Sequence, residues 1–136
     1  GDVIDPSTGE ILAGLLDESG EKLIGTENEL IKLYREKTNV FSGNTTIGVV
    51  ATNGKFTKSQ AKKIASMAHN GYGRTMRPAH SIFDGDTIFT MATGKVEADI
   101  NVVGLLAART MEQAIVNAVK KSTSLGGFKS YSNLME

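Results

Sequence analysis

The chain has 136 residues, 15 basic and 15 acidic side chains, 40% hydrophobic residues and no cysteine. One domain with a packed core fits that length and composition, and wholesale disorder does not. Zero net charge gives no electrostatic pull toward nucleic acid or an anionic membrane, and the missing thiols exclude disulfides, thiolate metal sites and a cysteine nucleophile.

In chain order, Gly1 to Gly14 reads as a hairpin: short apolar strands flank Asp5-Pro6-Ser7-Thr8-Gly9, where Pro presets φ and Gly supplies a positive one. Residues 17–26 are polar with two glycines and read as a loop. Leu30, Ile31, Leu33 and Tyr34 among charges predict a short amphipathic helix over 27–37, with a loop over 39–44. The β-branched run 45–52 predicts a strand buried on both faces, ended by Asn53-Gly54. Thr57-Lys58-Ser59-Gln60 is a capping box that opens a helix running to about His69, with Ala61, Ile64, Ala65 and Ala68 inward and Asn70-Gly71-Tyr72-Gly73 as its break. A second strand is predicted over 87–92, ended by Gly94. A long helix follows from about Asp99, with Val102, Val103, Leu106, Ala107, Ile115, Ala118 and Val119 at helical spacings. The tail from Ser122 is rich in Ser and Gly. The pattern is α/β, with a sheet thin for so much helix, so further strands are expected from outside this segment. No apolar run reads as a membrane span, no leader is evident, and a cytoplasmic location is the expectation.

Three constellations have chemical content. Ser42-Gly43-Asn44-Thr45-Thr46 runs straight into a strand. It is either a polar loop entering a strand or a self-processing junction. In the second case a Thr hydroxyl attacks the preceding carbonyl, and the freed α-amine then serves as that hydroxyl's base. Phe83-Asp84-Gly85-Asp86-Thr87 is either a turn or a carboxylate pair that orients a hydroxyl or holds an ammonium group; its glycine comes too early for a calcium loop. Met76-Arg77-Pro78-Ala79-His80 offers His80 as a base, although a structural His is the commoner use, and His69 reads as a helix-end contact. Arg74, Arg77 and Lys58, Lys62 and Lys63 read as solvated, and the glycines form no phosphate loop.

Taken together, the run from Asn44 to Asn53, Thr57-Lys58-Ser59-Gln60-Ala61, Met67-Ala68-His69-Asn70-Gly71, Arg77-Pro78 and Phe83-Asp84-Gly85-Asp86-Thr87 resembles the L-aminopeptidase/D-amino-acid esterase-amidase family. That family includes β-peptidyl aminopeptidases and endo-type 6-aminohexanoate oligomer hydrolases. The opening Gly1 to Gly9 is similar to the segment shortly before the family's cleavage site.

The resemblance implies part of a four-layer αββα sandwich of the self-processing N-terminal-nucleophile type. Carried over, the cut falls between Asn44 and Thr45, making 1–44 the end of a large-subunit region and 45–136 the small-subunit region. Thr45 is then nucleophile and base, and Asp84 and Asp86 stand where the family keeps the polar pair that steadies them. Several members have Ser and Glu there, so the Asp pair is more like the oligomer-hydrolase branch. No metal or organic cofactor is implied.

The resemblance covers roughly the last two-fifths of the family's length. The expected partners are therefore an upstream segment of the same polypeptide, a peptide or amide substrate and further copies in a homo-oligomer, with neither nucleic acid nor membrane. The family's oxyanion-stabilising Asn falls upstream of Gly1. Loss of such a donor costs about 2.7–4 kcal/mol of transition-state stabilisation, so this segment alone is expected to be inactive, with Asn44–Thr45 intact. Two rival readings are an ornithine-acetyltransferase-like acyl transferase, which also cuts before a Thr, and an inactive assembly module.

Overall fold

A computed structural model describes residues 1–36 and 45–135. The hairpin forms as expected: β1 (Asp2–Ile4) pairs antiparallel with β2 (Ile11–Ala13). A third strand that local sequence did not announce, β4 (Met76–Arg77), joins β1 on its other side, giving the order β2–β1–β4. Helix α1 (Thr26–Arg35) starts after Gly25, which supplies no capping side chain. Its first amide is served from a distance instead. The buried Asp2 carboxylate accepts from Thr26 N at 2.6 Å, from the Thr26 hydroxyl at 2.6 Å and from Leu15 N at 3.1 Å. A carboxylate held by three donors at a helix N-terminus locks the hairpin to α1.

The main unit is β3 (Ile47–Gly54) paired in parallel with β5 (Thr87–Val96), with α2 (Lys58–Thr75) and α3 (Ile100–Lys120) packed on one face. The capping box is present: the Thr57 hydroxyl accepts from Gln60 N, and the Gln60 side chain accepts from Thr57 N. Asp99 caps α3 through Asn101 N and Val102 N. Ile64, Ala68 and Tyr72 of α2, Ile88 of β5, and Ala107 and Met111 of α3 form the core. A short helix α4 (Tyr131–Leu134) closes the tail.

Four expectations need correction. First, β3 is buried on one face only. Ile47 is 69% and Val49 56% exposed, as is Phe89 at 56% on β5, so the sheet presents an open apolar face opposite the helices. A β-branched run signals strand, but it does not say how many faces are covered.

Second, α2 does not break at Asn70–Gly73 but continues to Thr75. Gly71 is a contact residue there: a Cβ at this position would lie 2.7 Å from the Ala108 carbonyl oxygen and 2.8 Å from Met111 Cβ. The close approach of α3, with its own small Gly104, Ala107 and Ala108 turned inward, outweighs the helix cost of glycine, about 1 kcal/mol. We expect Gly71→Ala to lower stability by about 1–3 kcal/mol despite Ala's better helix propensity, because a backbone carbonyl cannot rotate away from the added methyl. Urea unfolding of the two proteins measures this.

Third, Gly94 does not end β5, which runs on to Val96, and Asn53–Gly54 is the last part of β3 rather than a turn after it. The register shifts between Thr52 and Gly54, where β3 ends opposite Val96, and Gly94 sits at φ 72° inside β5, so β5 carries on past an irregularity. Fourth, the inner stripe of α3 is Gly104, Ala107, Ala108 and Met111, while Val102 and Leu106 are about half exposed. Against the expectation that no apolar run reads as a membrane span, α3 would pass as one by length and apolar composition alone; it packs along α2.

Candidate active site

Parallel pairing decides what stands beside what. Because Ile47 is opposite Thr87, the segments that lead into β3 and β5 run side by side, although 40 residues separate them. Thr87 N donates to the Thr46 carbonyl at 2.9 Å, continuing the ladder one step upstream. There Asp86 Oδ1 accepts from Thr46 N at 2.9 Å, so a side chain of one strand entry satisfies the backbone of the other. Thr87 Oγ1 donates to the Gly85 carbonyl at 3.0 Å and steadies the turn before β5.

Thr45 is exposed at this junction, and its side chain lies directly over Gly85: a Cβ on Gly85 would stand 2.6 Å from Thr45 Oγ1. Glycine is thus the residue that leaves room for the hydroxyl, with a carboxylate on either side of it in sequence. Of the residues singled out from sequence, Thr45 lies over Gly85, and Asp84 and Asp86 flank that glycine in the chain. Asn44 lies outside the described residues.

The two carboxylates do different work. Asp86 binds the strand carrying Thr45. Asp84 braces its own turn, with Oδ2 accepting from Ser81 N at 2.7 Å and its backbone N donating to the Ser81 carbonyl at 3.1 Å. Thr46, the neighbouring hydroxyl, is turned toward the Met76 sulfur at 3.9 Å.

Asp84 also lies on the wall of a cavity of about 970 Å³ between the end of the hairpin, α1 and the 78–84 segment. Leu15, Ile24, Leu33 and Phe83 give it an apolar lining, and Asp17 and Glu29 add carboxylates to that of Asp84. The hydrogen bond from the Ser19 hydroxyl is the main cause of a lowered Asp17 pKa, which keeps that carboxylate ionised. Local pattern presents 17–26 as a loop and 27–37 as a helix and gives no sign of a wall. Only the close approach of chain-distant pieces makes them a wall.

His69 and His80 read as unrelated residues in sequence, yet they belong together. His69 Nδ1 and His80 Nε2 stand 3.1 Å apart. His69 also meets the Tyr72 ring edge-on, with centroids 5.3 Å apart. Burial, then the charge of His80, push the His69 pKa below its ordinary value, while Asp86 pulls the other way. Burial likewise pushes Tyr72 up. The Tyr72 hydroxyl is buried with no hydrogen-bond partner among the described residues, and it rests under Gly48 of β3, where a Cβ would lie 2.6 Å from it. Among the described residues, no group of three or more His, Cys, Asp or Glu side chains is arranged to hold a metal ion.

The pattern of peptidase family S58 matches residues 11–132, a stretch that includes the Thr45–Gly85 junction, α1 and both helices of the main unit. The chain belongs to peptidase family S58. The resemblance read from the motifs, to L-aminopeptidases and 6-aminohexanoate oligomer hydrolases, is therefore correct.

Within the S58 family, an uncharacterized aminopeptidase of Mycobacterium leprae is 34% identical over 96% of this chain and 40% of its own length. One from Mycobacterium bovis is 31% identical over 98% of this chain and 44% of its own. A 6-aminohexanoate-oligomer endohydrolase of a Kocuria species is 27% identical over 58% of this chain and 26% of its own length. The chain thus spans about two-fifths of the length of the two aminopeptidases.

Proposed function

We propose that this S58 chain is the nucleophile-bearing portion of a self-cleaving aminopeptidase or amidase that hydrolyses amide bonds through an acyl ester on Thr45. The observation that carries this reading is the seat of Thr45: an exposed hydroxyl over Gly85, at a strand entry fixed by Asp86. In processing, Thr45 Oγ attacks the Asn44 carbonyl carbon, the acyl group moves from nitrogen to oxygen, and water hydrolyses the ester. That step leaves Thr45 as a new N-terminus whose α-amine sits one residue before the Thr46 N–H held by Asp86.

In turnover the amine takes the hydroxyl proton as Oγ attacks the substrate carbonyl. The tetrahedral adduct collapses to acyl-Thr45 with loss of the amine product, and water completes hydrolysis. Asp86 holds the nucleophile's strand in register. Asp84 fixes the facing turn through Ser81 N. The cavity behind Asp84 suits a substrate with an apolar body and a free ammonium group, since Asp17, Glu18 and Asp84 line it beside a Glu29 already paired with Lys32 at 3.0 Å.

The open apolar face of β3 and β5 supports the further reading of a four-layer αββα sandwich, in which an upstream segment of the same polypeptide supplies the second sheet. Residues 1–44 then close the large subunit and 45–136 form the small one. Intact mass of the full-length polypeptide tests the scheme: two fragments are expected, the second beginning at Thr45. Hydrolysis of amino-acid p-nitroanilides without an added amine acceptor is expected as well. A single uncut chain that still hydrolyses, or turnover only with an acceptor, overturns it.

A further inference from the structure

The two histidines have a geometry that the hydrolase reading does not use. His69 sits partly buried on α2, a helix of 18 residues capped at its start and packed along α3. His80 is exposed on the 78–86 connection and is held at φ 59°, a left-handed backbone conformation uncommon outside glycine. Such a conformation at a non-glycine residue is kept where surrounding structure imposes it, and it concentrates at functional positions.

Their nitrogens stand 3.1 Å apart and their ring centroids 5.1 Å apart. Metal–imidazole bonds of about 2.0–2.1 Å, meeting at angles between a right angle and the tetrahedral value, put two ligand nitrogens about 2.9–3.4 Å apart. The observed separation, which is also that of a ring-to-ring N–H···N hydrogen bond, falls inside that window, so an ion can replace the shared proton with little movement of one ring fixed on a helix and another facing solvent.

We propose that His69 and His80 form a bidentate site for a divalent transition ion of the zinc or nickel class, with water in the remaining positions. Paired imidazoles favour Zn²⁺, Ni²⁺ and Cu²⁺ over Mg²⁺ and Ca²⁺, which take oxygen ligands. With no third His, Cys, Asp or Glu grouped with the pair among the described residues, the site is open and its ion exchangeable. Its consequence is mechanical. His80 lies on the connection that carries Asp84, Gly85 and Asp86, so an ion shared with His69 ties that connection to α2. The proposal stands apart from the hydrolase reading, because it needs neither cleavage nor turnover.

The test is calorimetric titration of the protein with ZnCl₂, with MgCl₂ as control, alongside NMR of the imidazole nitrogens. One Zn²⁺ per chain is expected, with the His69 and His80 signals shifting together and no response to Mg²⁺. Asn tolerates the left-handed backbone, so His80→Asn isolates the ligand; it and His69→Gln should each weaken Zn²⁺ binding at least about 10- to 100-fold, the loss that even outer-shell changes cause at metal sites. If Zn²⁺ leaves both imidazole signals unmoved, or binds His80→Asn as tightly as the parent, the proposal is wrong. The NMR arm uses the unaltered protein, so a misfolded variant does not decide the result.

Discussion

Replacing Thr45 with Ala is expected to leave the full-length polypeptide uncut and to lower amide hydrolysis by at least about three orders of magnitude, the scale on which loss of a covalent nucleophile acts. The substitution removes one exposed hydroxyl and disturbs little else, since the strand entry is held through the Thr46 backbone by Asp86 and through the Thr46 carbonyl by Thr87. Stability should therefore change by less than about 1 kcal/mol, as for surface changes away from caps and cores. Thr45→Ser keeps both hydroxyl and amine and should still be processed. Mass spectrometry reads the cleavage, and release of p-nitroaniline reads the turnover. The neighbouring Thr46 is the built-in control: its hydroxyl is directed to the Met76 sulfur, away from Gly85, so Thr46→Val should retain cleavage. Activity that survives in Thr45→Ala and disappears in Thr46→Val would exchange their roles.

The parts of the fold legible in sequence are those decided within a few residues. The Thr57–Gln60 capping box sets the start of α2, Asp99 sets the start of α3, and the β-branched run marks β3, because each signal involves neighbours in the chain. What was not legible depends on distant partners. Gly71 looks like a helix breaker until α3 arrives against it. Asp2 caps α1 from 24 residues away, which no window around α1 contains. The open face of β3 follows from what lies on its other side, and strand composition does not encode that.

The candidate site divides in the same way. Motif likeness picked out Thr45, Asp84 and Asp86, and the parallel register of β3 and β5 explains physically why the Thr45–Thr46 entry stands beside Gly85 and Asp86. Their unequal tasks, one on the Thr46 amide and one on the Ser81 turn, were hidden, because both read as members of one Asp-Gly-Asp pair. The apposition of His69 and His80 was hidden too. It requires the left-handed turn at His80 to bring a loop ring back over a helix, and nothing local in that stretch specifies the turn.

Gly85→Ala should separate the seat of the nucleophile from the stability of the fold. The added methyl carbon would stand 2.6 Å from Thr45 Oγ1, well inside van der Waals contact, so the hydroxyl must be displaced on the order of an ångström. Displacement of that size costs about a hundredfold in rate when a reacting group must meet its target in line, so we expect kcat to fall by about 100-fold. Gly85 is exposed and is not among the glycines with positive φ, so the backbone accepts alanine without strain. The bonds around it, from Thr87 Oγ1 to its carbonyl and from Thr46 N to Asp86, use no atom that the substitution removes. Stability should stay within about 0.5 kcal/mol of the parent, the range of surface substitutions away from special sites. Thermal unfolding and single-turnover kinetics on the same preparation measure the two effects. A variant as active as the parent would mean that the hydroxyl does not work from its place over Gly85. A variant that loses activity only in proportion to lost folded protein would mean that Gly85 serves the scaffold, and in either event the reading of Thr45 as a nucleophile seated on that glycine would fall.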